Sequence, residues 1–297
     1  MKPWLKWTVA VVGSLALLLV LAAAAGLQLY ERKKTRNVAV NIKPVPYVAD
    51  TQSLQRGKYL YESRGCVHCH GDSGAGRDFV KNDNMHLRGA NITPAGVVAR
   101  YKPEDWVRVI RHGVKPNGQP ALIMPSEDYN RFTDQDLAAL VAYTRSLAPV
   151  AGGEAVINLP LPARVLYGFG AILDSAERIN HTLPPATPIP EAVNAQHGAY
   201  VANMCIGCHG EHLSGGRIAG GPPDWPAAAN LTPGEGSAMK NYADSAQFVA
   251  MLRSGKRPDG TPIKVMPFDS LARMNDVDAK ALYEYLKTVP ARSSGNK

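Results

Sequence analysis

The chain has 297 residues, 45% of them apolar and 20% charged, the composition of a globular protein with room for two ordinary domains. Aromatic content is 7%, against 27 glycines and 23 prolines, a mixture that favours short helices joined by long turns over large sheets or coiled coils. The formal charge of +8 is concentrated at the start: residues 1–37 carry a net +5 and the rest only +3, which gives no basis for a nucleic-acid partner, since that needs a clustered basic face.

Residues 8–27 read TVAVVGSLALLLVLAAAAGL, 20 residues without a charge. That is long enough to cross a hydrocarbon core as a helix. Lys2 and Lys6 precede it, Trp4 and Trp7 stand at an interfacial position, and Tyr30 and a Glu-Arg-Lys-Lys-Thr-Arg stretch follow. Residues 1–37 are therefore read as a transmembrane anchor. The competing reading is a signal peptide cut after Ala25, with Ala23 and Ala25 as the small residues, although a signal's apolar region usually stops at about 15 residues. The flanks hold four basic residues after the run and two before it. Charge bias alone would put the C-terminal side in the cytoplasm; the motifs below, which require export, override it.

The next stretch, residues 45–149, contains Arg56-Gly57-Lys58-Tyr59, Cys66-Val67-His68-Cys69-His70-Gly71 and Asn91-Ile92-Thr93-Pro94. Arg111, Gly113, Pro116, Gly118, Pro120 and then Met124-Pro125 follow. A middle helix is predicted over 104–112, stopped by Gly113. The last helix opens at Thr133, with Asp136 three residues on as an acidic variant of the capping box. Leu137, Leu140, Val141 and Leu147 give it an apolar stripe at helical spacing. Residues 150–190 are Pro-rich and read as a linker packed on the domains, because a free tether would be poorer in apolar residues. A short helix is predicted within 164–173.

Residues 191–292 repeat the first pattern at an offset of 139 to 142 residues. His197-Gly198-Ala199-Tyr200, Cys205-Ile206-Gly207-Cys208-His209-Gly210, Asn230-Leu231-Thr232-Pro233 and Met266-Pro267 are the counterparts, with Arg253, Gly255, Pro258, Gly260 and Pro262 between the last two. A middle helix is predicted over 244–254, stopped by Gly255. Asn275 caps the last helix, with Asp278 at the capping-box position and a stripe of Leu282, Tyr285, Leu286 and Val289. The sequence thus holds two copies of one helical domain.

All four cysteines are used by the two Cys-x-x-Cys-His motifs. Cysteines at i and i+3 reach two porphyrin vinyl groups from one helical turn, and the histidine next in sequence lies on the same face to ligate the iron. Cys66, Cys69, Cys205 and Cys208 are the predicted thioether positions for two covalent haem c groups, with His70 and His209 as proximal ligands. A structural zinc site would bring its second cysteine pair within about 15–20 residues of the first. A thioredoxin-like dithiol would need a βαβ context.

With these motifs in hand, both copies resemble the class I cytochrome c domain, most nearly as it occurs in the cytochrome c subunits of bacterial membrane-bound dehydrogenases. Those subunits often carry three haems, and this chain has motifs for two. The resemblance implies a fold of all-α class, a transmembrane helix followed by two tandem cytochrome c domains. Within each, the first and last helices would cross beside the haem edge, Gly57 and Gly198 permitting close approach to Tyr143 and Tyr285. It also implies Met124 and Met266 as the sixth iron ligands. Met85, His86, Met239, Met251, His212 and Met274 are rivals, each without a counterpart in the other copy. His68 is expected at the surface near the haem edge, and His112, His181 and His197 are read as surface residues. Asn91 and Asn230 are read as loop residues lining the haem, with proline fixing the turn.

The expected function is electron transfer at the periplasmic face of a bacterial inner membrane. The expected partners are redox proteins, on the dehydrogenase, quinol or terminal-oxidase side, together with the membrane itself. A catalytic dihaem enzyme of peroxidase or thiosulfate-oxidising type would need an open or exchangeable distal site, against which the paired Met-Pro argues. A sensor would need an output module.

Overall fold

The computed structural model describes residues 2–218, 220–222 and 224–295. The apolar run lies within one 32-residue helix, α1 (Pro3–Lys34), about 48 Å long at 1.5 Å per residue. It is the one helix among the described residues long and apolar enough to cross a membrane, and only Gly26 and Tyr30 along it are buried. A helix exposed over nearly all its length is not the core helix of a soluble domain.

The first repeated unit opens with α2 (Thr51–Ser63), capped by Asp50, whose carboxylate accepts from the Ser53 amide (2.7 Å). It continues through α3 (Cys66–His70), the strands β1 (Asp78–Lys81) and β2 (His86–Arg88), α4 (Pro103–His112) and α5 (Asp134–Ser146). Pro103 starts α4, where its missing N–H costs nothing, and Gly113 ends it at φ 64°. Thr133 caps α5, its hydroxyl accepting from the Asp136 amide (3.0 Å). Helices α2 and α5 cross tightly: a Cβ on Gly57 would overlap the Ala139 carbonyl oxygen and lie 2.7 Å from the Tyr143 Cβ. Leu60, Tyr61, Val67, Trp106, Ile110, Leu137 and Leu140 fill the core around that crossing. Each fully buried Leu there contributes about 1.5–3 kcal/mol.

The linker supplies the strand β3 (Val156–Asn158), then α6 (Leu161–Gly168) and α7 (Ser175–Arg178). The short helix thus begins three residues before the predicted stretch, because Pro160 and Pro162 fall at its start, where proline is tolerated. β3 pairs antiparallel with β2, in the register Leu87 with Ile157, and completes a three-stranded sheet. The all-α expectation is corrected to that extent: the molecule is mostly helical with a small sheet. Strands of three or four residues, one of them from the linker, leave no alternation long enough to read.

The second unit runs through α8 (Ala195–Ala202), α9 (Ile206–His209), α10 (Ser245–Ser254), α11 (Phe268–Leu271) and α12 (Asp276–Leu286). Its construction matches the first. Asp244 caps α10, Gly255 ends it at φ 70°, and Asn275 caps α12 by accepting from the Asp278 amide (2.8 Å). A Cβ on Gly198 would overlap the Ala281 carbonyl oxygen and lie 2.7 Å from the Tyr285 Cβ, as at Gly57. Val201, Phe248, Met251, Leu271, Met274, Leu282 and Leu286 form its core.

The units pack against each other with reciprocal contacts. Tyr59 donates to Asp278 (2.5 Å) and accepts from the Asn275 amide (3.2 Å). Tyr200 donates to Asp136 (2.6 Å) and accepts from the Thr133 amide (3.3 Å). Each tyrosine therefore caps the other unit's last helix. Arg64 pairs with Asp278, and at the matching place Asn203 donates to the Asp128 carbonyl (2.8 Å).

Three histidines depart from their expected surface positions. His197 is 1% exposed and donates to Asp278 (2.6 Å). His112 and His181 are half-buried and joined Nδ1 to Nδ1 at 3.0 Å. Burial, the neighbouring ring and the charges of Arg111 and Arg108 lower His112 to about 4. These contacts join residues 69 and 81 positions apart, which no local pattern reveals.

Candidate haem-attachment sites

Cys66, Cys69 and His70 share the single turn α3, and Cys205, Cys208 and His209 lie on or against α9. A left-handed residue, Gly65 at φ 90°, turns the chain into α3, and Gly71 and Gly210, at φ 71° and 80°, turn it out of each motif. In the first unit the His70 Nδ1 donates to the Ala90 carbonyl (2.8 Å), and in the second the His209 Nδ1 donates to the Ala229 carbonyl (2.8 Å). A carbonyl only accepts, so each Nδ1 carries the ring proton and each Nε2 carries the lone pair. That is the tautomer an iron ligand needs, held by the outer-sphere contact that metal-binding histidines use. Burial also lowers the His70 pKa and favours its neutral form.

The cysteines are free of disulfides. Burial pushes the Cys66, Cys69 and Cys205 thiols up to about 12. A redox-active dithiol would instead hold a thiol of lowered pKa. No group of three or more His, Cys, Asp or Glu side chains able to hold a metal ion is present among the described residues. A pair of cysteines on one turn beside a tautomer-fixed histidine therefore fits thioether-bound haem, in both units.

The two Met-Pro sequences lie in matching loops. Pro125 (φ −79°, ψ 65°) and Pro267 (φ −78°, ψ 67°) have the same backbone, and each leads into a helical turn, Ser126–Asp128 and α11. Met124 and Met266 are partly buried and pack against the cores of their own units. The rivals lie elsewhere. Met239, Met251 and Met274 are core residues, Met85 is buried, and His86 bonds Asp78 (2.8 Å). His212 is exposed.

Asn91 and Asn230 are fully buried. Each accepts from the amide two residues on, Thr93 or Thr232, at 2.9 Å. Asn91 donates to the Val150 carbonyl (2.8 Å) and Asn230 to the Arg292 carbonyl (2.7 Å). Each asparagine thus ties its loop to the segment that follows the unit's last helix.

Sequence reasoning missed how the attachment helices meet the opposite unit. The Gly207 amide, inside the second motif, donates to Asp128 (2.7 Å), and His68, inside the first, lies 3.3 Å from Asp269. Asp128 and Asp269 are in the turns that follow Met124-Pro125 and Met266-Pro267. Burial and the neighbouring Glu127 push the Asp128 carboxyl well above the ordinary range. His68 is accordingly half-buried between the units, with Arg77 also pairing to Asp269, rather than at an open surface. The only prior signal was the repeat itself, which does not say how its copies face one another.

The sequence matches the family model of cytochrome c oxidase, cbb3-type, subunit III, over residues 52–143 and again over 192–286. It is 27% identical over 281 residues to the fructose dehydrogenase cytochrome subunit of Gluconobacter japonicus, covering 86% of this chain and 56% of that protein. It is 26% identical over 282 residues to the gluconate 2-dehydrogenase cytochrome c subunit of Pantoea cypripedii, covering 83% and 63%. It is 30% identical over 173 residues to the cytochrome c subunit of alcohol dehydrogenase (quinone) from Gluconacetobacter polyoxogenes, covering 54% and 36%. The chain spans less than two thirds of the length of each of these relatives.

Proposed function

The chain belongs to the family of cytochrome c oxidase, cbb3-type, subunit III, and from that membership we propose that it is a membrane-anchored dihaem relay. Membership implies covalently bound haem c and electron transfer. The finer reading is one haem in each of two tandem class I cytochrome c domains, residues 45–149 and 191–292. Residues 1–37 are the anchor and 150–190 the linker. Cys66, Cys69, Cys205 and Cys208 carry the thioethers. His70 with Met124, and His209 with Met266, are the axial pairs. A bound haem supplies the reversible one-electron chemistry. The chain fixes the histidine tautomers, excludes water and sets two unequal environments.

The observation that carries this reading is the repeated histidine geometry: both motif histidines hold Nδ1 on a backbone carbonyl at 2.8 Å beside a cysteine pair. The reciprocal seating of each attachment helix on the other unit's post-methionine turn favours a wire over two independent carriers. Thioether ligands at both irons favour transfer over substrate chemistry.

The periplasmic side follows from haem attachment outside the cytoplasm and runs against the basic flank of α1, which is paired once the chain has folded. Lys33 pairs with Glu177 (2.9 Å), Lys34 with Glu31 (2.6 Å) and Arg36 with Asp174 (2.7 Å). These pairs form on folding and do not act on the charge bias that orients the span during insertion. Donor and acceptor are redox proteins of the dehydrogenase, quinol or oxidase side, as the relatives' names suggest.

Mass measurement of denatured protein should show two haem additions, and a redox titration should need two one-electron steps. Met266→Ala should lower one potential and leave the other nearly unchanged. Recovery of one haem, or steady turnover of peroxide or thiosulfate that collapses on a distal substitution, would count for a single-site or catalytic protein instead.

A further inference from the structure

The linker helix α6 has one side packed on α1 and another that is half exposed and apolar. Gly26 lies near the end of the apolar run, and a Cβ there would lie 2.7 Å from a Val165 methyl and 2.9 Å from the Phe169 ring. A Cβ on Gly168 would overlap the Gly26 carbonyl oxygen. The junction is locked by Lys33, which donates to the Tyr167 carbonyl (3.0 Å) and the Ile172 carbonyl (3.2 Å). Tyr30 and Tyr167 meet edge to face, and Tyr167 and Arg36 both bond Asp174. The outer side of this segment carries Leu161, Leu166, Phe169 and Leu173, each 41 to 53% exposed, and Leu29 of α1 is exposed one turn away.

We propose that this face is a lipid-docking surface, lying in the boundary between headgroups and acyl chains on the side of the membrane that holds the haem units. The proposal rests on α1 being a membrane span. The argument for lipid as the occupant is continuity. The exposed apolar face of α6 abuts α1 where its uncharged run ends, so Phe169 and Val165 stand at the depth of Gly26. A helix whose apolar face meets the acyl boundary while its opposite side meets protein is the arrangement of an interfacial segment. Burying these side chains in the boundary would fix the tilt of α1. Through Asp174 and Ser175, whose hydroxyl donates to the Met124 carbonyl (2.6 Å), it would also fix the height of the first unit above the membrane.

The test uses the full chain in nanodiscs of zwitterionic lipid carrying a photoactivatable group on the acyl chain, with adduct sites read by mass spectrometry. Adducts are expected on residues 8–27 and also on 161–173. They should be absent from Val193, an apolar residue of similar exposure (51%) in the second unit. The doubly substituted L166E/F169E protein should lose the 161–173 adducts and keep those on α1. Adducts on 8–27 with none on 161–173 would overturn the docking face and leave the anchor standing. Labelling of neither stretch would overturn the anchor reading itself. A dimer in native mass spectrometry that L166E/F169E dissociates, without lipid adducts on 161–173, would assign the face to a second copy and overturn the proposal.

Discussion

In the first unit the carboxylate at the third position of the last helix, Asp136, is held by Arg56 from its own unit and Tyr200 from the other. In the second, Asp278 is held by His197 from its own unit and by Tyr59 and Arg64 from the other. The positions correspond; the chemistry does not. The Arg56 side chain keeps 24% of its surface in water and also reaches Glu191, whereas the Arg64 and Asp278 side chains are 2% and 0% exposed. A duplicated fold has thus concentrated its buried charge at one of two equivalent places. The lesson is that repeat symmetry conserves backbone geometry, while burial decides how much each contact contributes.

The largest test of that contrast is Asp278→Ala, which leaves Arg64 buried without its counter-ion and should cost about 3–5 kcal/mol of stability. Asp136→Ala should cost about 1–2 kcal/mol, since Arg56 can turn to water and Glu191. Denaturant unfolding of the detergent-solubilised protein measures both, and equal losses would break the comparison. The same site governs acid stability. Burial alone would raise the Asp278 carboxyl. The charge of Arg64 and hydrogen bonds from Arg64, Tyr59 and His197 outweigh it and hold the pKa at about 2, against 3.8 for a free aspartate. A folded-state value below the unfolded one means that this stability is present above the unfolded pKa and is lost as pH falls through the folded one. The contribution is about 2 kcal/mol, complete above about pH 4 and lost toward pH 2. In Asp278→Asn that part of the acid arm should disappear.

The helix crossings sharpen the comparison from the other side, because here the units agree. Gly57→Ala and Gly198→Ala each force a methyl group into a facing carbonyl oxygen, Ala139 or Ala281. Each should cost about 1–3 kcal/mol, and the two losses should match within about 0.5 kcal/mol.

A smaller effect separates the two methionine loops. Ser175 of the linker bonds the Met124 carbonyl (2.6 Å), the Ser126 amide (3.1 Å) and Glu127, whereas among the described residues no linker side chain bonds the Met266 carbonyl. Ser175→Ala should cost about 1 kcal/mol and, on the proposed dihaem reading, shift only one of the two potentials. A shift of both potentials would argue against a local role. The smallest expected effect is at Val265, which precedes Met266 with φ 78°, a conformation that a β-branched residue rarely adopts. Val265→Gly should raise stability by up to about 1 kcal/mol, with no counterpart at Ile123.

The local signals held where the physics is local. Caps at Thr133 and Asn275, stops at Gly113 and Gly255, and the one-turn spacing of cysteine and histidine depend on backbone groups within four residues, and the chain states them directly. The tight crossings at Gly57 and Gly198 came from the family resemblance, and at each a Cβ would overlap the facing carbonyl oxygen. Three features stayed hidden. The Val156–Asn158 strand is too short to show alternation. His197 stands at the place of the partly exposed Arg56 in the other copy, and only Asp278, 81 residues away, closes over it. The basic flank of α1 reads as unmatched charge until Asp174 and Glu177, more than 130 residues on, fold against it.

By itself, then, the sequence determined the duplicated pattern, the two Cys-x-x-Cys-His motifs and the apolar helix. Each is encoded in spacings of a few residues, where covalent reach and helix period leave one solution. Only the tertiary structure decided which unit's carboxylate meets a fully buried arginine, that each Cys-x-x-Cys-His helix rests on the turn after the other unit's methionine, and that the linker clasps α1. Those outcomes depend on how two surfaces exclude water together, and neither surface is written in any single stretch of the chain.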